Sequence, residues 1–168
     1  FVTVHETQEK HVELRTNGKF EGNDTLEMIP QLAFGYLPSI IAHRTDSAFL
    51  IGLGTGVTLK GLADFPFTRL DVAERSQPIV HAARTYFAKI NGKALDDPRV
   101  TVLHDDGRNA LRLSRQRYVV ISIEITSIWF AGAADLYSRD FYVVVKERLA
   151  SGGVFQQWLQ LHHMRLQD

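Results

Sequence analysis

The chain has no cysteine among its 168 residues. It therefore cannot form a disulfide, use a thiolate as a nucleophile or bind a metal through cysteine, and this is compatible with a reducing compartment. Its longest apolar stretches, such as residues 48–53, are far shorter than the ~20 residues that a membrane-spanning helix needs. No basic N-terminus followed by a hydrophobic segment suggests a signal peptide. These absences predict a cytoplasmic domain that does not itself insert into a membrane.

The chain also lacks net charge, because 19 Lys and Arg balance 19 Asp and Glu. It therefore has no basic surface signature of the kind that binds nucleic acid or anionic lipid. Its seven histidines show no metal-ligand spacing, so no metal is expected. What is present is 45% apolar residues, enough for one sizeable core. Because the chain begins at Phe1 rather than a methionine, we expect a piece of a longer protein, truncated at its C-terminal end.

Beyond residue 46, strand patterns alternate regularly with helical patterns. Strands are predicted at 48–51, 69–73, 100–103, 118–123 and 154–161, and helices up to 62 and over 77–89, 108–113 and 136–149. The last helix is expected to stop at the glycines of 151–153. Such alternation is typical of an α/β fold with a mainly parallel, doubly wound sheet.

The N-terminal residues have a different pattern. Short alternating segments and the turn dipeptide Asn17-Gly18 predict a small β-hairpin region over 1–25. The helical period that follows, over 26–43, is expected to kink or restart at Pro38. We therefore expect an N-terminal β-hairpin region (1–25) and a Rossmann-like nucleoside-binding domain (26–168).

A glycine-rich segment follows the first strand of the predicted parallel sheet, where open α/β sheets bind ligands. It reads GLGTG at 52–56. A dinucleotide fingerprint would need a third glycine at position 57, which is Val57, and a P-loop would need Gly-Lys-Ser/Thr. The spacing suits a ligand of the S-adenosylmethionine type, which has no phosphate to bind. A glycine turn that only packs helix against strand is the alternative.

Acidic residues close the next three predicted strands. Glu74 follows the second strand, where an acid binds ribose hydroxyls, although a solvated loop carboxylate is the alternative. Asp106-Gly107 follows the third strand, where the aspartate could accept a hydrogen bond from an adenine amino group or cap the next helix. Glu124 closes the fourth strand. Because the carboxyl ends of parallel strands meet at one edge, the three carboxylates are expected to form a cluster.

Taken together, these segments resemble the spermidine synthase family. The resembling segments are NGK at 17–19, LIGLGTG at 50–56, LDVAE at 70–74, DPRV at 97–100, DGRN at 106–109, LYSRDFY at 136–142 and GGV at 152–154. The likeness is greatest to a bacterial branch in which the domain is often fused to membrane-spanning segments. The family has a methyltransferase-like Rossmann fold and transfers an aminopropyl group from decarboxylated S-adenosylmethionine to a diamine such as putrescine.

The resemblance implies which residues bind the nucleoside donor. Glu74 would bind the ribose and Asp106 the adenine. The full set of expected donor-binding residues is Gly52, Gly54, Thr55, Gly56, Glu74, Asp106, Gly107 and Glu124.

The chain departs from the family's pattern where the amines are handled. Thr55 replaces the aspartate that holds the donor's amine in the family's glycine loop. The family's D-S-T-D-P motif reads EITSI at 124–128, so that Glu124 keeps the first acid while Ser127 takes the place of the catalytic aspartate. The family also has a Tyr-His pair in the helix before the first strand of the parallel sheet, and this chain has Pro30-Gln31 at those positions. Glu124 and Ser127 are therefore the candidate catalytic positions. Because serine cannot take up a proton near neutral pH, the amine site is expected to be degraded.

Three functions fit this pattern. The chain could be a divergent aminopropyltransferase with Glu124 as base, a methyltransferase that uses S-adenosylmethionine itself, or a non-catalytic nucleoside-binding domain. Thr55 removes a negative charge that would repel the methionine carboxylate, which favours the unmodified donor. The expected partners are a nucleoside donor and a polyamine acceptor, and not nucleic acid. A homodimer is left open.

Overall fold

The computed structural model describes residues 1–125 and 132–159 and contains two sheets, one of three antiparallel strands and one of five parallel strands. The strands are β1 (Val2–Glu6), β2 (Val12–Thr16), β3 (Lys19–Asn23), β4 (Ser47–Ile51), β5 (Arg69–Ala73), β6 (Val100–Leu103), β7 (Tyr118–Ile123) and β8 (Leu149–Gln157). The helices are α1 (Met28–Ile41), α2 (Val57–Ala63), α3 (Gln77–Thr85), α4 (Gly107–Leu113) and α5 (Arg139–Arg148).

The larger sheet has the order β6-β5-β4-β7-β8, with every neighbouring pair parallel. The chain thus runs from the central strand β4 outward to β6 and then returns to the other side of β4 through β7. This is the predicted doubly wound α/β arrangement, and it is confirmed. The order reverses between β4 and β7, where such sheets bind their ligands.

Helices cover both faces of this sheet, as the side chains of β4 show. All five residues of β4 are buried, which is expected of a strand covered on both sides. Ala48 and Leu50 pack with apolar residues of α2 and α3, whereas Phe49 and Ile51 pack with those of α4 and α5. The core therefore consists of two layers separated by the sheet.

The small N-terminal sheet packs against α3 and the residues that follow it. Leu14 of β2 is fully buried and contacts Ala82 and Phe87. The predicted hairpins are confirmed, with the turn at Asn17-Gly18 between β2 and β3. Within the described residues, no helix combines the length and the apolar character that crossing a bilayer requires.

Helix α1 is continuous across Pro38, where the sequence predicted a kink or a restart. Proline has no N–H to donate to the carbonyl four residues earlier, which is that of Phe34. The side chain of Gln156 on β8 donates to this carbonyl instead, at 2.9 Å. A tertiary contact that the sequence does not reveal therefore satisfies the helix at its proline.

The prediction was also wrong near the last helix. The expected helix over 136–149 is a turn of 3-10 helix (Ala134–Tyr137) followed by α5, whose start is capped by the Ser138 hydroxyl. The glycines of 151–153 do not end the helix but belong to β8. Gly152 has a φ of +71°, and the pairing of β8 with β7 shifts its register there. The glycines therefore allow an irregular strand.

Candidate functional site

The glycine loop between β4 and α2 has a backbone that only glycine adopts easily. Gly52, Gly54 and Gly56 all have positive φ, at 86°, 52° and 84°. Among the described residues, a Cβ placed on Gly54 would have only the Glu124 Oε1 within 4 Å, at 3.7 Å, so this part of the chain leaves the loop open on that side. A ligand can therefore approach this backbone closely.

A cavity of about 380 Å³ lies beside this loop, at the carboxyl ends of β4, β5, β6 and β7. Six of the predicted donor-binding residues line it: Gly52, Gly54, Glu74, Asp106, Gly107 and Glu124. Thr55 and Gly56 are not among the lining residues, and Ser127 lies outside the described residues. The structure therefore brings the three strand-end acids together, as expected.

The Glu74 carboxylate is held between two chain segments. Its Oε2 accepts a hydrogen bond from the Leu53 N–H at 3.1 Å and its Oε1 accepts one from the Ser76 N–H at 2.7 Å. The residue is 8% exposed, so it is not a solvated loop carboxylate. Burial raises the pKa of Glu74, although the two N–H donors oppose the rise. Since a carboxylate has about four acceptor positions, Glu74 can still accept hydrogen bonds from two hydroxyls.

Asp106 caps helix α4. Its Oδ1 accepts a hydrogen bond from the Asn109 N–H at 3.1 Å, while the neighbouring Asp105 binds the Asp106 N–H and the Asn109 side chain. The capping interpretation of Asp106 is thus correct, and its contact with adenine stays a prediction. A Cβ on Gly107 would lie 2.3 Å from Cγ2 of Ile51, so this glycine lets α4 pack against β4.

Glu124 is the most perturbed acid of the cavity. It is 9% exposed, and within the described residues its Oε2 is buried without a hydrogen-bond partner. Burial raises the pKa of Glu124 to about 8, and the charges of Glu74 and Glu21 add to the rise. A hydrogen bond with the Thr58 hydroxyl opposes the rise, and this hydroxyl also donates to the Gln31 carbonyl at 3.1 Å. Glu124 is therefore largely protonated at neutral pH, and an arriving cation would favour its ionised form.

Thr55 faces away from the cavity. Its side chain is fully buried, and its hydroxyl donates to Gln31 Oε1 at 2.8 Å. Two of the positions at which the chain departs from the family pattern, 55 and 31, are therefore in direct contact with each other. The expected effect of Thr55 on the charge of the cavity is not supported by this orientation.

The N-terminal sheet supplies one wall of the cavity, which the sequence did not predict. Thr16, Asn17, Lys19 and Glu21 all line it. The resemblance at 17–19 was the one available signal, and it assigned no role to these residues. Because β3 precedes the glycine loop by about thirty positions, only the tertiary packing brings the two together.

The chain is similar in sequence to enzymes that act on polyamines. Residues 27–167 match the family model of the spermine/spermidine synthase domain. A polyamine aminopropyltransferase of Nitrosomonas europaea is 29% identical over 148 residues, covering 88% of this chain and 45% of the relative. A polyamine aminopropyltransferase of Corynebacterium efficiens is 36% identical over 116 residues, which cover 67% of this chain and 22% of the relative. Putrescine N-methyltransferase 2 of Nicotiana tabacum is 29% identical over 142 residues, which cover 81% of this chain and 38% of the relative.

Solved structures show the same fold. A spermidine synthase in complex with the transition-state analogue AdoDATO has a TM-score of 0.85 at 21% identity, covering 92% of this chain and 53% of the other. Human methyltransferase-like protein 13 in complex with SAH has a TM-score of 0.56 at 24% identity, and the match covers 76% of this chain and 60% of the other. The chain spans about half the length of these relatives or less. Since the family model matches most of its residues, the chain belongs to the spermine/spermidine synthase family.

Proposed function

We propose that this chain is the donor-binding part of a spermidine synthase-like transferase, and that its cavity binds S-adenosylmethionine or the decarboxylated form. The observation that carries the proposal is Glu74, a buried carboxylate fixed by the Leu53 N–H at the edge of the glycine loop. Its position suits two ribose hydroxyls, with Asp106 and Gly107 toward the adenine. The cavity volume lies within the range of small-ligand sites.

The charges around the loop favour a sulfonium over a dinucleotide. The carboxyl groups of Glu21, Glu74 and Glu124 all line the cavity, and the charge of Glu74 acts on both of the others. Each of them that is ionised would repel a pyrophosphate and attract a positively charged sulfur, which would in turn favour the ionised form of Glu124. The spermidine synthase neighbour that binds AdoDATO gives independent support for an adenosyl ligand.

For the reaction, we propose transfer to a polyamine nitrogen. The amine nitrogen would form a bond to a carbon attached to the sulfonium, the carbon–sulfur bond would break with its electrons going to sulfur, and the nitrogen would lose one proton. Glu124 is the candidate proton acceptor within the described residues, once a cation has favoured its ionised form. Because position 127 is a serine, where the resemblance implies the family's catalytic aspartate, we propose that the aminopropyl transfer of the family is degraded here.

Methyl transfer is the second candidate, supported by the likeness to putrescine N-methyltransferase 2 of Nicotiana tabacum. The same displacement at the methyl carbon would leave S-adenosylhomocysteine. Neither reaction needs a metal, because the positive sulfonium already activates the carbon and leaves as a neutral thioether.

Calorimetric titration tests the binding proposal. Methylthioadenosine, S-adenosylmethionine and the decarboxylated donor would each be titrated into the protein, with NAD as a comparison ligand. A bound ligand at 100 times its Kd should stabilise the fold by about 2.7 kcal/mol. Glu74→Gln should weaken binding at least about ten-fold, and the exposed Glu147→Gln should not. Binding of NAD without any response to methylthioadenosine would refute the proposal.

Product analysis then separates the candidate reactions. Putrescine would be incubated with each donor, and the aminopropylated and methylated products would be quantified. Donor binding without either product from a range of amines would leave a non-catalytic nucleoside-binding domain.

A further inference from the structure

Strand β3 lies directly on the glycine loop. A Cβ placed on Gly22 would be 2.9 Å from Nε2 of Gln31 and 3.0 Å from Cγ2 of Thr55. The backbone of β3 is therefore in close contact with the loop that follows β4. Lys19 and Glu21, on the same strand, line the cavity together with Gly52 and Gly54 of this loop.

The pairing of β2 with β3 contains a bulge at Glu21. Leu14 pairs with Gly22 and Arg15 pairs with Phe20, so Glu21 is the extra residue. A bulge bends its strand and changes the direction of a side chain, and bulges are enriched next to active sites. Here it accompanies the placement of Glu21 on the cavity wall.

Lys19 and Glu21 form a pair of opposite charges on this wall. Burial lowers the pKa of Lys19 while the Glu21 charge opposes the change. Burial likewise raises the pKa of Glu21, with Lys19 opposing and Glu74 adding to the rise. Each side chain is therefore partly desolvated and within electrostatic reach of the other. The charge of Glu21 also acts on Glu124, so Glu21 is within electrostatic reach of both Glu74 and Glu124.

We propose that Lys19 and Glu21 recognise an α-amino-acid group on the ligand, with Lys19 binding its carboxylate and Glu21 its ammonium. The inference rests on the proposed nucleoside site and specifies which ligand it takes. An ammonium and a carboxylate fixed near each other match an amino acid, in which the same two charges are joined at one carbon. A donor without the carboxylate gains nothing from Lys19, whose charge would instead repel the donor's own ammonium. The group could belong to S-adenosylmethionine itself or to an amino-acid acceptor beside the nucleoside.

Calorimetric titration of three nucleosides tests this proposal. S-adenosylmethionine, its decarboxylated form and methylthioadenosine would be titrated into the unmodified chain and into Lys19→Met, Lys19→Glu and Glu21→Gln. If the group belongs to the donor, Lys19→Met should weaken the binding of S-adenosylmethionine at least about ten-fold and leave the affinity for methylthioadenosine unchanged. Lys19→Glu should invert the preference in favour of the decarboxylated donor. Lys10→Met and Glu6→Gln, exposed on the same small sheet, serve as matched controls.

A second titration distinguishes the source of the group. Protein saturated with methylthioadenosine would be titrated with ornithine and with putrescine. Binding of ornithine that Lys19→Met abolishes, while putrescine is unaffected, would assign the group to the acceptor and still support the proposal.

The outcomes separate the two levels of inference. Failure of the unmodified chain to bind methylthioadenosine contradicts the proposed function. Normal methylthioadenosine binding in every variant shows that the variants are folded. If the affinities for S-adenosylmethionine and ornithine are then insensitive to Lys19 and Glu21, the amino-acid inference is overturned.

Discussion

Asn91 fills the space that a side chain at position 56 would need. A Cβ on Gly56 would lie 2.9 Å from its Nδ2, and this same nitrogen donates to the carbonyls of Thr55 and Ala83, each at 2.9 Å. One buried amide therefore joins the glycine loop to α3. It acts from outside the cavity, whose lining does not include Asn91.

Asn91→Ala should destabilise the fold and weaken donor binding together. The substitution leaves two carbonyls without their donor, and each buried unsatisfied group costs about 1–3 kcal/mol. Urea denaturation would give the change in the free energy of unfolding, and titration with methylthioadenosine the change in affinity. Asn23→Ala, in the N-terminal sheet, is the control and should leave both the glycine loop and the affinity largely intact. Unchanged affinity in Asn91→Ala would show that the loop does not depend on this amide.

Two substitutions at Asp106 separate capping from ligand recognition. Asp106→Ala should lower the free energy of unfolding by about 0.5–2 kcal/mol, because α4 loses its N-cap. Asp106→Ser should restore most of that stability, since serine is a good N-cap. If Asp106 also accepts a hydrogen bond from the adenine, both variants should bind methylthioadenosine more weakly. Full affinity in Asp106→Ser would leave this residue with a structural role alone.

Glu124 should make the fold less stable as the pH rises from about 4.5 to 8. Its pKa is raised from its usual value of 4.5 to about 8, so within this interval the folded state binds a proton that the unfolded state has released. Stability should therefore fall by about 1.4 kcal/mol per pH unit and level off above pH 8. Glu124→Gln should remove this dependence. Urea denaturation of both proteins between pH 5 and 8 measures the difference, with Glu147→Gln as an exposed control. Parallel pH profiles would show that Glu124 ionises normally.

Aminopropyl transfer to putrescine should be slow. Loss of a general base typically lowers a rate by a factor of about 10²–10⁴, and the resemblance implies that Ser127 takes the place of the family's catalytic aspartate. Ser127→Asp should raise the rate with the decarboxylated donor, measured as spermidine formed. Thr55→Asp should not, because its side chain would be buried against Gln31 rather than directed into the cavity. Rapid spermidine formation by the unmodified chain would show that another residue is the working base.

The parallel sheet could be predicted because short, largely apolar strand segments alternate with helical periods along the chain. The bounds of β5, β6 and β7 agree with the sequence prediction, and the acids that follow these strands meet as expected. Topology alone places such residues at one edge of a sheet.

What could not be predicted depends on contacts between distant segments. The orientation of Thr55 is fixed by Gln31, 24 residues earlier. The cavity wall formed by Lys19 and Glu21 depends on how the N-terminal sheet packs. The bulge at Glu21 could not be predicted from the pattern of apolar residues. At Gly152 local preference favoured a helix end, but pairing with β7 extended the strand.

The cavity wall contributed by β3 means that a bound ligand would connect the two sheets. The N-terminal sheet is held to α3 and the residues after it by a small apolar cluster around Leu14, so it can open locally at a lower free energy than the parallel core. Ligand occupancy would raise the free energy of that opening, because the binding site is complete only when β3 is in place. The amide protons of β3 would then exchange with solvent at a rate set by the concentration of the ligand, and this small sheet would report whether the site is filled.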